Sequence, residues 1–273
     1  MHLNFDFTTV QVLWTLTFAA LLVLLVVLLG RDRARIFPMF TASMALTALR
    51  LLASRLLYGR MAPITMSEIF LTLALIEALV RLLVVLEIAR RAFVAASRRA
   101  WIIGTLILLA GGAAVLATWG PWPAWKMITV SSTMAVLQLM QLVAQKIDLL
   151  VDVLTVELCV LVVLAGRRFK AGWRSHTQQI IVGLSTASIA QMGVRAIWQE
   201  IALHTVPHSQ AEYDHAMGLQ EKLYNANSVI FVAVVVWWIV CLWIDEPGTA
   251  GPAEAGANHA TAETESIPAD EEK

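Results

Sequence analysis

The chain has 273 residues, 59% hydrophobic and 15% charged, and its 20 basic and 20 acidic residues give a formal net charge of zero. A mean hydropathy of +0.71 excludes an ordinary soluble globular domain and points to an all-α polytopic membrane helix bundle. Its first partner is then the lipid bilayer, and nucleic acid is not among the expected ones.

Seven segments come near the roughly 20 apolar residues that a bilayer core requires. They fall at 10–30, 36–58, 64–88, 101–119, 144–166, 177–203 and 226–244. The first has polar residues only near its start, at Gln11, Thr15 and Thr17. It is too long for a signal-peptide core and no basic region precedes it, so it is predicted to remain as a span. The second shows Ser43, Thr47, Arg50 and Ser54 at helical spacing, and the third sets Glu77 and Arg81 one turn apart between Glu68 and Glu87. The fourth is almost purely apolar, with small residues such as Gly104, Gly111 and Gly112 that permit close helix packing. A stiff aromatic connection follows, from Trp119 through Pro121 and Pro123 to Trp125.

The fifth segment is the most informative. Between Met127 and Gly166 there is no Gly or Pro, and a polar stripe runs from Ser131 through Gln138, Gln145, Asp148 and Asp152 to Cys159. Steps of three or four place the stripe on one helix face. A soluble helix hides an apolar stripe in polar sequence, whereas this one does the reverse, so its carboxylates must look at a wet or charged interior. Residues from about 127 to 143 either prolong this helix outward or lie on the membrane surface, and spacing does not decide between the two. The sixth segment shows Ser185, Ser188, Gln191, Arg195 and Gln199, with Gly183 and Gly193 among its small residues. The seventh is apolar. Segments two, three, five and six are therefore expected to surround a polar interior, with four and seven more exposed to lipid.

Basic residues cluster after segments one, three and five: Arg31, Arg33 and Arg35; Arg90, Arg91, Arg98 and Arg99; Arg167, Arg168, Lys170 and Arg174. The positive-inside bias then predicts seven spans with the N-terminus outside and the C-terminus in the cytoplasm, in a plasma (inner) membrane. Residues 1–245 form the expected transmembrane domain. From Asp245 onward there are eight acids and one Lys, a net of −7, which leaves +7 on the remainder of a neutral chain. Residues 246–273 cannot bury enough apolar surface to fold alone, and read as a disordered acidic cytoplasmic tail. The tail and the basic loops are candidate contacts for a cytoplasmic protein partner. Cys159 and Cys241 fall inside predicted spans, so no structural disulfide is expected. Most of the tryptophans mark predicted interfaces, Trp14, Trp119, Trp122, Trp125 and Trp198 outside and Trp101, Trp173 and Trp243 inside.

At 1.5 Å per helical residue, Arg50, Asp152 and Arg195 fall at one depth, with Glu77 and Glu157 deeper and Arg81 deeper still. An unpaired charge there costs at least about 2.5–3.5 kcal/mol. Arg50 and Arg195 are therefore expected to flank Asp152, above a Glu77–Arg81 pair. The candidate ligand- or ion-binding residues are Arg50, Glu77, Arg81, Asp148, Asp152, Glu157, Gln191 and Arg195. Two arginines around one carboxylate would leave surplus positive charge, which suggests a small anionic ligand or ion entering from outside. The competing reading is that buried ion pairs only fix helix registry.

The connection between segments six and seven holds His204, His208, Glu212, Asp214 and His215. Imidazoles with carboxylates suit zinc-like ions, but Pro207 breaks the helix that would align His204 with His208. No HExxH motif occurs. A solvated polar loop is expected, with His204, His208 and His215 kept as metal candidates, and no cofactor is called for.

Seven spans with an outside N-terminus resemble the topology of rhodopsins and G-protein-coupled receptors. The likeness goes no further: Val229 to Ile244 offers no Lys for retinal, and neither Glu87-Ile88-Ala89-Arg90-Arg91 nor Trp237-Trp238 reproduces the receptor signatures. The buried Ser and Thr residues have no intramembrane His partner, which argues against an enzyme. The expected function is a sensor or receptor-like protein that binds a small molecule or ion in a polar cavity open to the outside. The alternatives are a secondary transporter or ion or proton channel, for which no inverted repeat is visible, and an accessory subunit that docks by its polar face.

Overall fold

The computed structural model describes residues 8–57, 59–92, 98–119, 122, 132–165, 175–204 and 209–245. All regular structure among them is helical. The elements are α1 (Thr9–Gly30), α2 (Arg33–Ile36), α3 (Pro38–Leu57), α4 (Pro63–Ala92), α5 (Arg98–Thr118), α6 (Thr133–Ala165), α7 (His176–His204) and α8 (Gln210–Trp243). The chain from Ile244 onward is a separate unit. The expected tail at 246–273 lies outside the described residues, as do the basic cluster from Arg167 to Arg174, Trp125 and Trp173.

Local chemistry sets the helix starts. Thr8, Ser132, Ser175 and Ser209 each accept a backbone N–H three residues on, satisfying a first-turn donor. Pro38 and Pro63 open α3 and α4, where a missing N–H costs nothing. Glu87 of α4 accepts the backbone N–H of Phe40 at 3.2 Å, bringing a negative charge to the α3 N-terminus. The chain turns between α1 and α2 at Asp32, which holds a left-handed conformation (φ 53°) that Asp tolerates better than most residues.

Five helices are long and apolar enough to cross a membrane: α1, α3, α4, α7 through Ile201, and α8. The apolar part of α5, Ile102–Thr118, is shorter. α6 has 33 residues, but Lys146, Asp148, Asp152 and Glu157 fall within it. It continues unbroken from Thr133 through Val143, so that part of the stretch left open by spacing prolongs the helix, while residues 127–131 lie outside the described residues. The expected polar loop before the last segment is likewise helical from Gln210 onward. Good helix formers such as Ala, Glu, Gln, Leu and Lys follow Ser209, and no Pro interrupts them.

Six helices close into a ring in the order α1, α3, α4, α6, α7, α8, and α8 returns to α1. α5 stands outside this ring against α6, with Ile103, Leu106 and Leu109 exposed. Exposed apolar side chains cover the ring's perimeter as well, among them Val26, Leu86, Ile189 and Val240. The interior is divided along its length. Where α1 ends and α3 begins, Leu24, Leu28, Phe40, Ile88, Ile180 and Leu242 pack into a dry core. The opposite half is polar.

Trp238 joins the two halves. It is fully buried, and its ring meets Phe40 edge-on at 5.0 Å between centroids. The last segment, expected to be among those more exposed to lipid, turns one face inward: Asn225, Ser228, Phe231, Val235, Trp238 and Leu242 form an inward stripe at helical spacing, polar only at its top. Gly183 of α7 makes room for the indole, since a Cβ there would stand 2.3 Å from Trp238 Nε1. Gly183→Val is expected to destabilise the protein by about 1–3 kcal/mol through overpacking. Gly193, where a Cβ meets nothing within 4 Å, should tolerate Ala. Unfolding of the detergent-solubilised variants measures both.

Candidate functional site

Asp148 and Asp152 lie one turn apart on α6 and face Arg81 of α4 and Arg195 of α7. Arg81 Nη1 stands 3.5 Å from Asp148 Oδ1, and its Nη2 donates to Asp152 Oδ1 at 2.7 Å. Arg195 Nη2 donates to Asp148 Oδ2 at 3.4 Å, and its Nη1 stands 3.4 Å from Asp152 Oδ2. Each carboxylate thus gives one oxygen to each arginine, and each guanidinium fork straddles two carboxylates. Asp152 is 0% exposed, and Ser188 Oγ donates a further bond to its Oδ1 at 3.0 Å.

A second pair stands beside this quartet. Arg50 Nη1 of α3 meets Glu77 Oε2 of α4 at 2.8 Å, and Thr47 Oγ1 donates to Glu77 Oε1 at 2.9 Å. The pairing expected from depth is therefore exchanged. Arg50 belongs to Glu77 rather than to Asp152, and Arg81 belongs to the aspartates rather than to Glu77. The cause lies in the ring order: α4 stands between α3 and α6, so Glu77 turns to one neighbour and Arg81 to the other. The expected surplus of positive charge is absent, because three arginines meet three carboxylates among the described residues.

The quartet and the pair border a cavity of about 370 Å³ to which all six ring helices contribute. Arg50, Glu77, Arg81, Asp148 and Gln191 form its charged and polar wall, and Asn225, Asn227 and Ser228 of α8 extend the polar lining. Trp14, Met44, Val84, Leu184 and Phe231 supply the apolar part, with Trp238 deepest along α8. The volume lies at the small end of the range for organic ligands. Trp14, expected as an interfacial anchor, is instead part of this wall, its indole N–H donating to the Leu51 carbonyl at 3.3 Å.

Of the eight residues singled out by sequence, Arg50, Glu77, Arg81, Asp148 and Gln191 line the cavity, and Asp152 and Arg195 stand behind it in the quartet. Glu157 does not join them. Its carboxylate lies over Gly111 of α5, where a Cβ would come within 1.8 Å of Oε1, on the outer side of α6. Five residues beyond Asp152 is about 140° around a helix, which turns Glu157 away from the interior. Glu87, below the Glu77–Arg81 stretch of α4, caps α3. His204 makes an exposed pair with Glu200 at 3.2 Å, His215 is exposed on α8, and His208 lies outside the described residues. Among the described residues no group of three or more His, Cys, Asp or Glu side chains is placed so that it could hold a metal ion.

Sequence reasoning missed the walls formed by α1 and α8. The signal in α8 was the Asn225–Ser228–Phe231–Val235–Trp238 spacing, which an apolar composition conceals.

Asp152→Asn is expected to cost up to about 3–5 kcal/mol, because it leaves two partly buried guanidinium groups short of a countercharge. Asp148→Asn, at a half-exposed position, should cost less, and adding Arg195→Gln to Asp152→Asn should restore part of the loss. A double-mutant cycle by denaturant unfolding in detergent measures the coupling. No protein-family model, curated protein or solved structure matches this chain.

Proposed function

We propose that the chain is a seven-span membrane protein that binds a small molecule in a cavity open to the outside, and that it acts as a sensor or receptor-like protein. α5 and α6 would add two spans to the five apolar helices, the acids of α6 being sheltered by the ring and by α5. The orientation rests on the arginine-rich ends of α1 and α4, which would lie in the cytoplasm with the N-terminus outside.

One observation carries the reading: the polar cavity reaches one end of the ring and is closed at the other. At its mouth Val10 is exposed and Arg50 partly so, whereas Phe40, Trp238 and the Leu24–Leu28 core shut off its base. A blind pocket that brings six helices to one ligand suits binding and signalling. A conducting path would need polarity to continue past Val84 and Val85 of α4, and Glu87 beyond them is already engaged as a helix cap.

Single cysteines at Gln191 and Ser228, with Cys159→Ala and Cys241→Ala, test this against a membrane-impermeant maleimide. Labelling of intact cells and none of inverted vesicles is the expected result. Labelling from both sides would make the protein a transporter with alternating access, and labelling from the cytoplasmic side alone would reverse the orientation.

A further inference from the structure

We infer that the cavity takes a dipolar small molecule, one carrying both an acidic and a basic group on an apolar body. The inference rests on the cavity-binding reading above and narrows it to a ligand class.

Charge balance comes first. Arg50, Arg81 and Arg195 stand against Glu77, Asp148 and Asp152 in matched contacts. A ligand with one net charge would unbalance a site that has no surplus to neutralise it, and in a weakly polarisable interior that imbalance is costly. A dipolar ion brings its own countercharge.

Unused bonding capacity comes second, and it occurs with both signs. Arg50 has a 41% exposed side chain, and its ion pair with Glu77 engages Nη1, so further donors of its fork remain for an acid group. On the acceptor side, Glu77 is closed off by Arg50 and Thr47, which leaves Asp148. Asp148 is 28% exposed and holds its arginines at 3.4–3.5 Å, longer than the 2.7 Å of the Arg81–Asp152 bond. Asp148 can therefore accept from an ammonium group. Arg50 on α3 and Asp148 on α6 approach from either side of α4, so donor and acceptor walls are separated as the two ends of a dipolar ion require.

The apolar body has its own place. Phe231, Trp238 and Met44 lie deeper than the charges and offer aromatic and thioether surface with no ionised group among them. Asn225 and Gln191, each donor and acceptor at once, complete the polar lining without favouring either sign.

The test compares three probes that share a phenyl body, using the full chain in lipid nanodiscs and equilibrium dialysis: phenylalanine, 3-phenylpropionate and 2-phenylethylamine. Phenylalanine is expected to bind at least ten-fold more tightly than either singly charged probe. Arg50→Gln should weaken phenylalanine binding at least ten-fold without weakening binding of the amine. Equal or tighter binding of the acid or of the amine would overturn the dipolar class and leave the binding cavity standing, as would binding of none of the three by protein whose Ser228→Cys variant labels from outside. If that variant labels from neither side, the cavity reading falls with it.

Discussion

A carboxylate with no solvent exposure is the constraint around which this molecule is arranged. Asp152 lies within a helix whose neighbours along the chain are mostly Leu and Val, and ionised it must be matched from elsewhere. A single unpaired charge at such depth costs at least about 2.5–3.5 kcal/mol. The pairing offsets this only when its geometry is good, which the crossed arrangement of two carboxylates and two guanidinium forks supplies. Lysine could not replace either arginine there, because a point charge cannot reach two carboxylates one turn apart. The heights of α4 and α7 relative to α6 follow: sliding either helix by one residue, about 1.5 Å, would pull a fork off one of its carboxylates.

The same arrangement explains the division of the interior. Where charges are matched, amides, hydroxyls and a cavity can accompany them. Where they are not, the ring fills with Leu, Ile, Phe and Trp at native packing. The close passage of Gly183 beneath Trp238 allows a bulky indole to seal the boundary without pushing α7 and α8 apart. Gly111 and Gly112 do the corresponding task at the outer face of α6, where they receive Glu157 and Leu150. Small residues thus decide where helices come close, in a bilayer that provides no hydrophobic force to press them together.

Much of this was legible in the sequence, for a physical reason. Helical spacing fixes which side chains share a face, so the inward stripe of α6 and the inward residues Thr47, Arg50, Ser188 and Gln191 were readable. Partner choice was not, because it depends on the order of helices around the ring, a non-local property that no spacing encodes. Arg50 and Arg81 were assigned to each other's carboxylates for that reason. Faces of uniform composition were also hidden. The inward sides of α1 and α8 are nearly as apolar as their outward sides, so neither Trp14 nor Trp238 announced itself. Glu157 was drawn into the cluster by its charge alone, although its position around the helix already pointed elsewhere.

The ring is closed by the first and the last of its long helices. A chain made from its N-terminus can assemble the α4–α6–α7 quartet as soon as α7 is in place, so its most costly charges need not wait for the end of synthesis. The cavity is different. Until α8 is made and meets α1, the pocket is a groove open sideways to lipid, and Asn225, Phe231 and Trp238 are still missing from its wall. Charge neutralisation and closure of the cavity are therefore separate events in the life of the chain, and the second arrives only with α8.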